Sequence, residues 1–500
     1  MPSYCNCHLS LLPRKPRNKD ILRYLVRSLT AALLGFSTTG AQALGANDGL
    51  TLNSNMTVSY HEPPQSVASW GKLMSATQII GRLRSNTFFW RWHETDTEQQ
   101  NHQIGGLGGS LILRSGRLGG WGIDIGAYVT SNPYLQVDEH DYGLLKAGRD
   151  VISRGTGEST YGVLGQANLQ YQGPALSMTL GRQLYESTFT ASNDTKMIPN
   201  TFDGVAMRYD LNANTGLRAA YFNQTKARGH AAGHDLITVN NAAGDPWLNQ
   251  DDAAAHYGLS YQRLEAAGLP VDNALVMAGI DQHLGEFTGR LDYLQVPDLF
   301  HQAALEFKGN LALSASWRWK PALKFMLQKD NQAGSIGGAS ARRDVSNDQP
   351  KGYTDPDNLD SFFVAARVEF EHLASGLNYR LGYSRVADQA DIVAPWRGFP
   401  TAGYTRPMGQ YNWTANESSW MLQLHGHLDR LVPWRGTRLS IRLSRFDRDE
   451  RKGFIDRDVI NVDIDQRLSE RLWARLRLLR ASDDGPTGYN EYRVEINRFF

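Results

Sequence analysis

The stretch Arg471-Leu-Trp-Ala-Arg-Leu-Arg-Leu-Leu-Arg480 sorts its residues by parity. Arg471, Arg475 and Arg477 fall on one parity, and Leu472, Ala474, Leu476 and Leu478 fall on the other. A strand sends successive side chains to opposite faces, so this piece reads as a strand with one basic and one apolar face. If the apolar face meets hydrocarbon, the arginines must point inward, because an arginine on the lipid face costs ~2–4 kcal/mol at the bilayer midplane. The following strand adds Arg493 to the same inward face, and the strand over 436–446 adds Arg438 and Arg442. A file of guanidiniums along an aqueous wall can pass a carboxylate from one bidentate partner to the next. The same arginines can equally serve to neutralise Asp463, Asp465, Glu491 and Glu495, and the sequence leaves both readings open.

Other chemistry is sparse. There is no G-x-S-x-G, H-E-x-x-H or P-loop. Asp463-Ile-Asp465 places two carboxylates on one strand face, which suits a polar wall better than a metal pair. Asp355, Asp357 and Asp360 could offer oxygens to Ca²⁺, but solvated loop acids are the plainer reading. His425 and His427 share the inward parity and carry the alternative reading, an outer-membrane β-barrel enzyme with a rim active site. No nucleophile motif accompanies them. The expectation is a non-enzymatic protein with no cofactor and no metal.

The elements that must position these side chains are strands. The last eleven residues, Asn490 to Phe500, put Tyr492, Val494, Ile496 and Phe500 on one parity and Glu491, Arg493, Glu495 and Asn497 on the other, with Arg498 interrupting the apolar series. Of the 500 residues, 41% are hydrophobic and 10% aromatic, with 48 glycines, and no apolar run reaches transmembrane-helix length. That composition fits a barrel whose lipid-facing and lumen-facing residues alternate.

The amino terminus carries a basic region from Arg14 to Arg27, an apolar run from Ser28 to Phe36 and the cleavage signal Ala41-Gln-Ala43. Residues 1–43 therefore read as a signal peptide, 44–80 as an amino-terminal periplasmic leader without firm pattern, and 81–500 as the barrel. Removing 1–43 takes away six basic residues and Asp20, which changes a formal charge of +1 to −4. That balance offers nothing to nucleic acid. Cys5 and Cys7, both of the chain's cysteines, leave with the leader, so thiolate chemistry is excluded from the exported part.

Along the chain, alternating pieces run from 82–92 through 103–113, 121–129, 163–171 and onward to 472–478 and the terminal strand. The glycines at 105, 106, 108 and 109 read as small residues on a crowded wall. Short turns are expected near 116, 173, 212, 283, 310, 373, 431 and 468. Longer loops are expected at 131–157, 184–201, 225–272, 329–360, 388–415 and 447–456. This alternation of turn and loop predicts an all-β protein: a transmembrane antiparallel β-barrel of about 18 strands, in the bacterial outer membrane.

Several segments give this reading a family. The first strand, Lys196-Met-Ile-Pro-Asn-Thr-Phe-Asp-Gly204, the segment Ala394 to Trp413, Arg475-Leu-Arg477 and Asn490-Glu-Tyr-Arg493 resemble the OprD family of substrate-specific outer-membrane porins. The resemblance implies a monomeric barrel with inward-folded constriction loops at 184–201 and 388–415. It implies that Arg475, Arg477 and Arg493 belong to a basic ladder, joined here by Arg442 and Arg438. It further implies that Lys196, Arg397, Tyr404 and Arg406 stand on the constriction loops. The family's further lysine before the ladder is matched by Asp465, which makes the local field less positive than in basic-amino-acid channels. The expected partners are small anionic or zwitterionic solutes, outer-membrane lipid and lipopolysaccharide, and the barrel assembly machinery, reached through the C-terminal strand.

Overall fold

The computed structural model describes residues 49–95, 101–135, 160–228, 233–237, 259–340, 350–394, 396, 403–410, 412–433 and 435–500. The signal-peptide reading of 1–43 lies outside them.

Eighteen staves close into one antiparallel barrel. They are β1 (Gln78–Trp92), β2 (His102–Arg114), β3 (Trp121–Leu135), β4 (Thr160–Gln172), β5 (Leu176–Gln183) and β6 (Thr201–Asn212). They continue as β7 (Thr215–Lys226), β8 (Leu275–Leu284), β9 (Phe287–Val296), β10 (Phe300–Gly309), β11 (Ala322–Asp330) and β12 (Ser361–His372). The last six are β13 (Leu377–Val386), β14 (Ser418–His427), β15 (Thr437–Asp447), β16 (Arg457–Arg467), β17 (Leu472–Asp483) and β18 (Tyr489–Phe499). β18 pairs with β1 from Tyr489↔Trp92 to Phe499↔Arg82, and Phe500 and Gly81 exchange backbone hydrogen bonds of 2.9 and 3.0 Å. Closure satisfies every ladder that an open edge would leave bare, which is the condition for a sheet to sit in hydrocarbon.

The burial pattern is inverted relative to a water-soluble sheet. On β3, Trp121, Ile123, Ile125 and Val129 are exposed while Asp124, Tyr128 and Thr130 are buried. Across the barrel, Leu422 is 56% exposed and Arg84 only 1%. Rings mark both rims of the exterior. Trp121 and Tyr171, 5.0 Å apart, sit at the turn end, and Tyr383 and Trp420, 4.5 Å apart, at the loop end. Amphipathic rings at two levels with aliphatic side chains between them match a bilayer with its headgroup layers.

All eight expected turns separate consecutive staves at one end, and the long connections lie at the other. The alternating piece over 312–328 is one exception to the strand reading. It divides into a small hairpin, Leu311–Ala312 with Trp317–Trp319, and stave β11. Leu313 and Ser314 turn back onto the Trp317 carbonyl, and Pro321, which lacks an N–H, separates the hairpin from β11. The glycine-rich part of β2 is crowded by backbone: a Cβ added at Gly108 would lie 2.1 Å from the Val129 carbonyl oxygen, and one at Gly109 would lie 2.0 Å from that of Arg82.

Among the described residues, two features occupy the lumen. An apolar cluster joins loop residues Phe189, Leu236, Leu259, Ile336 and Trp396 to inward side chains of β6 to β12, among them Phe202, Phe222, Phe300 and Phe363. Secondly, the segment before β1 folds as a hairpin, Leu50–Leu52 paired with Val58–Tyr60. Ser66–Val67 then runs parallel to Arg117–Leu118 at the turn end. At the loop end, the fully buried Lys452 ion-pairs with Asp388 and Asp449 and lies 5.1 Å from the Tyr353 ring, tying three loops together.

Candidate pore constriction

The wall formed by β15 to β18 and β1 carries charge on its inward parity. The register brings opposite signs side by side: Asp463↔Arg477 and Asp465↔Arg475 between β16 and β17, and Arg475↔Glu495 between β17 and β18. Directly opposed residues on one sheet face are close enough to interact. Arg442 reaches Asp463 at 2.6 Å and Asn461 at 2.8 Å. Arg477 lies 3.8 Å from Asp463, and Arg475 ion-pairs with Asp465. Arg493 pairs with Glu491 on its own strand at 2.6 Å and lies 4.6 Å from the Phe88 ring. The inward parity of these arginines and of both aspartates is as the sequence predicts, and each arginine named here has an acidic neighbour.

Two loops bend against this wall. Residues 184–200 are pinned by Asp194, whose carboxylate accepts from Arg82 at 2.8 Å and from Arg84 at 2.9 Å. Glu495 accepts from Arg84 on the other side. The buried Lys226 holds the loop's exit by donating to the Pro199 carbonyl at 2.8 Å. The stretch 403–410 of the other loop is held by Met408 N–H donating to Asn461 at 3.3 Å and by Gln410 donating to the Tyr489 hydroxyl at 2.7 Å.

Between wall and loops lies a cavity of about 260 Å³. Six basic side chains line it: Lys196, Arg228, Arg406, Arg442, Arg477 and Arg493. The acidic side chains on its lining are Asp463 and Glu491, so among the described residues the formal excess is four positive charges. Charge of one sign on a narrow wall focuses its field into the opening and raises the local concentration of counter-ions.

The structure thus brings together Lys196, Arg406, Arg442, Arg477 and Arg493 of the residues expected from sequence. Arg475 stands on the same face but is covered by the amino-terminal hairpin. Arg438, four residues nearer the turn end than Arg442, is exposed and does not line the cavity. Tyr404 is buried against β10 and β12, where its hydroxyl donates to Glu306 at 2.8 Å and Arg367 lies 5.3 Å from its ring. Burial and the Glu306 carboxylate push the Tyr404 phenol upward. Arg397 lies outside the described residues.

Sequence reading misses Arg228, Asp194 and the pair Arg82 and Arg84. The period-two pattern of β1 marks both arginines as inward. Arg228 and Asp194 sit in loops, where no periodicity assigns a direction. His425 lies 3.7 Å from Glu369, which also pairs with Arg380, so it belongs to an ionic band on β12 to β14 rather than to a rim cluster. Among the described residues no group of three or more His, Cys, Asp or Glu could hold a metal ion, and Asp360 pairs with Lys329 at 2.6 Å.

No protein-family model and no curated protein matches the chain. Solved structures do. The crystal structure of Acinetobacter baumannii OccAB3 is similar over 85% of this chain and 100% of its own, with a TM-score of 0.65 at 15% identity. That of Pseudomonas aeruginosa OpdK with vanillate is similar over 86% and 99%, with a TM-score of 0.64 at 15% identity. That of Pseudomonas aeruginosa OccK8 (OprE) covers the same shares, with a TM-score of 0.65 at 13% identity.

Proposed function

We propose that this chain, which has the fold of the OprD-type outer-membrane porins, gives passive and selective diffusion to small carboxylate-bearing solutes across the outer membrane. The observation that carries the reading is the lining of the cavity, six basic side chains against two acidic ones at the narrowed part of a closed barrel. Guanidiniums on two adjacent staves, Arg477 and Arg493, can take the two oxygens of one carboxylate, while Lys196, Arg228 and Arg406 face them from the loops. The aromatic Trp90, stacked on Tyr489 at 3.9 Å, offers an apolar surface beside them. Vanillate, the compound in the OpdK structure, is an aromatic carboxylate and fits this chemistry. The passage needs no cofactor, because binding and release at a charged wall suffice. The solute and the monomeric state are parts of the same proposal.

The test is carboxylate flux in proteoliposomes. Arg477→Ala together with Arg493→Ala should lower benzoate flux about tenfold, the loss expected from one charge-assisted contact. A neutral solute of similar size should pass as before. Equal benzoate flux in a folded double variant would sink the reading.

A further inference from the structure

The amino-terminal hairpin meets the pore wall at its tip. The Ser54 carbonyl accepts hydrogen bonds from Arg475 Nη1 at 2.9 Å and from Arg477 Nη2 at 2.8 Å. Two guanidiniums converging on one oxygen is the contact a carboxylate would receive. The Met56 carbonyl accepts from Arg82 at 3.0 Å, and the Met56 side chain is fully buried with its sulfur 2.6 Å from Arg475 Nη1. The Asn55 carbonyl accepts from the Asp194 N–H at 2.8 Å, and its side chain donates to Glu186 at 3.0 Å. The tip is therefore bonded both to the arginine wall and to the loop over 184–200. Met56 adopts a left-handed φ of 68° in a turn that aims the Ser54 and Met56 carbonyls at the wall and the Asn55 carbonyl at the loop. Ser54 is exposed and, with Asn55, lines the cavity.

We propose that the tip Ser54–Met56 is a fixed jaw of the constriction that sets both its width and its charge. It occupies Arg475 from the turn side, so that Arg475 is withheld from passing anions and Arg477 is shared. The part of the wall open to a solute is then Arg477, Arg493 and Arg442. This deepens the reading of the cavity as the solute path and rests on it.

Two measurements in planar bilayers test the jaw. Ser54→Cys, in the full chain with Cys5→Ser and Cys7→Ser, should lose about half its single-channel current in KCl on reaction with the anionic reagent 2-sulfonatoethyl methanethiosulfonate, because bulk is added inside the opening. An unchanged current after complete labelling would place the tip outside the path and overturn the proposal. A chain lacking residues 49–60, with its folded barrel verified by heat-modifiable migration, should conduct about twofold more and favour chloride over potassium more strongly, since Arg475 is uncovered. The same conductance and ion preference as the parent would overturn it. Where the shortened chain does not fold, the labelling result decides alone. Both readouts use KCl without any carboxylate solute. Their failure, with benzoate flux still dependent on Arg477 and Arg493, would remove the jaw and leave the proposed function standing.

Discussion

Arg477 on β17 and Arg493 on β18 are directly opposed in register, two like charges on neighbouring staves. Each has a carboxylate beside it, Asp463 across on β16 for Arg477 and Glu491 on the same strand for Arg493. Like charges face to face are destabilising on a sheet unless flanking groups compensate. Asp463 also pairs with Arg442, so one carboxylate balances two arginines. Asp463→Asn should therefore raise anion preference while weakening the order of the wall. In a KCl gradient the reversal potential should shift toward the chloride value, and a shift toward potassium would contradict this arrangement.

Asp194 is the anchor of the loop over 184–200. Buried beneath two guanidiniums, it leaves Arg82 and Arg84 to share Glu495 alone when removed, and breaking a buried pair costs about 3–5 kcal/mol. Asp194→Ala is expected to lower barrel stability by an amount of that order, read from urea titrations in detergent. Because Lys196 moves with the loop, single-channel current should also become noisier than in the parent.

The loop-end lock predicts a pH dependence. Asp449, between β15 and β16, is held well below its ordinary 3.8, first by the Arg451 side chain and then by Lys452 and Asn416, against the opposing effect of burial. A depressed carboxyl contributes stability above its unfolded value, and that contribution is lost as pH falls through the folded value. The difference in loop proteolysis between the parent and Asp449→Asn should be constant above pH 3.8 and narrow below it. A difference that instead grew on acidification would show that another group dominates.

The lipid face makes a simpler prediction. Leu422 is the middle of the outward series on β14 and is widely exposed. Leu422→Arg should cost ~2–4 kcal/mol on folding into vesicles. The neighbouring inward Gln423→Glu should cost less, because Arg380 and Arg442 flank it in register. Reversible unfolding of the two variants side by side measures the contrast.

Much of the fold was legible because a barrel wall obeys a period of two. The outward series Leu472, Ala474, Leu476 and Leu478 names its opposite face without further help, and the turns follow from the breaks between such series. The inward direction of Arg442, Arg475, Arg477 and Arg493 was legible for the same reason. The jaw was not. Ser54 meets Arg475 across 421 positions of sequence, in a hairpin whose three-residue strands are too short to show alternation. Tyr404 shows a different limit: the sequence puts it in the right loop, but packing against Glu306 and Arg367 turns it away from the cavity. Arg228 and Asp194 act through loop geometry, which carries no period at all.

The seam between β1 and β18 has a consequence for how the protein comes into being. Arg82 and Asn497, hydrogen-bonded at 2.8 Å, stand 415 residues apart in the chain. The first stave stays unpaired on one side until the last is available to it. Throughout that interval a sheet rich in apolar outward side chains has two bare edges, the condition that favours aggregation. The seam ladder, like the ladder between β17 and β18, cannot form before the last stave is in place, so the two edges of the open sheet close together with its arrival.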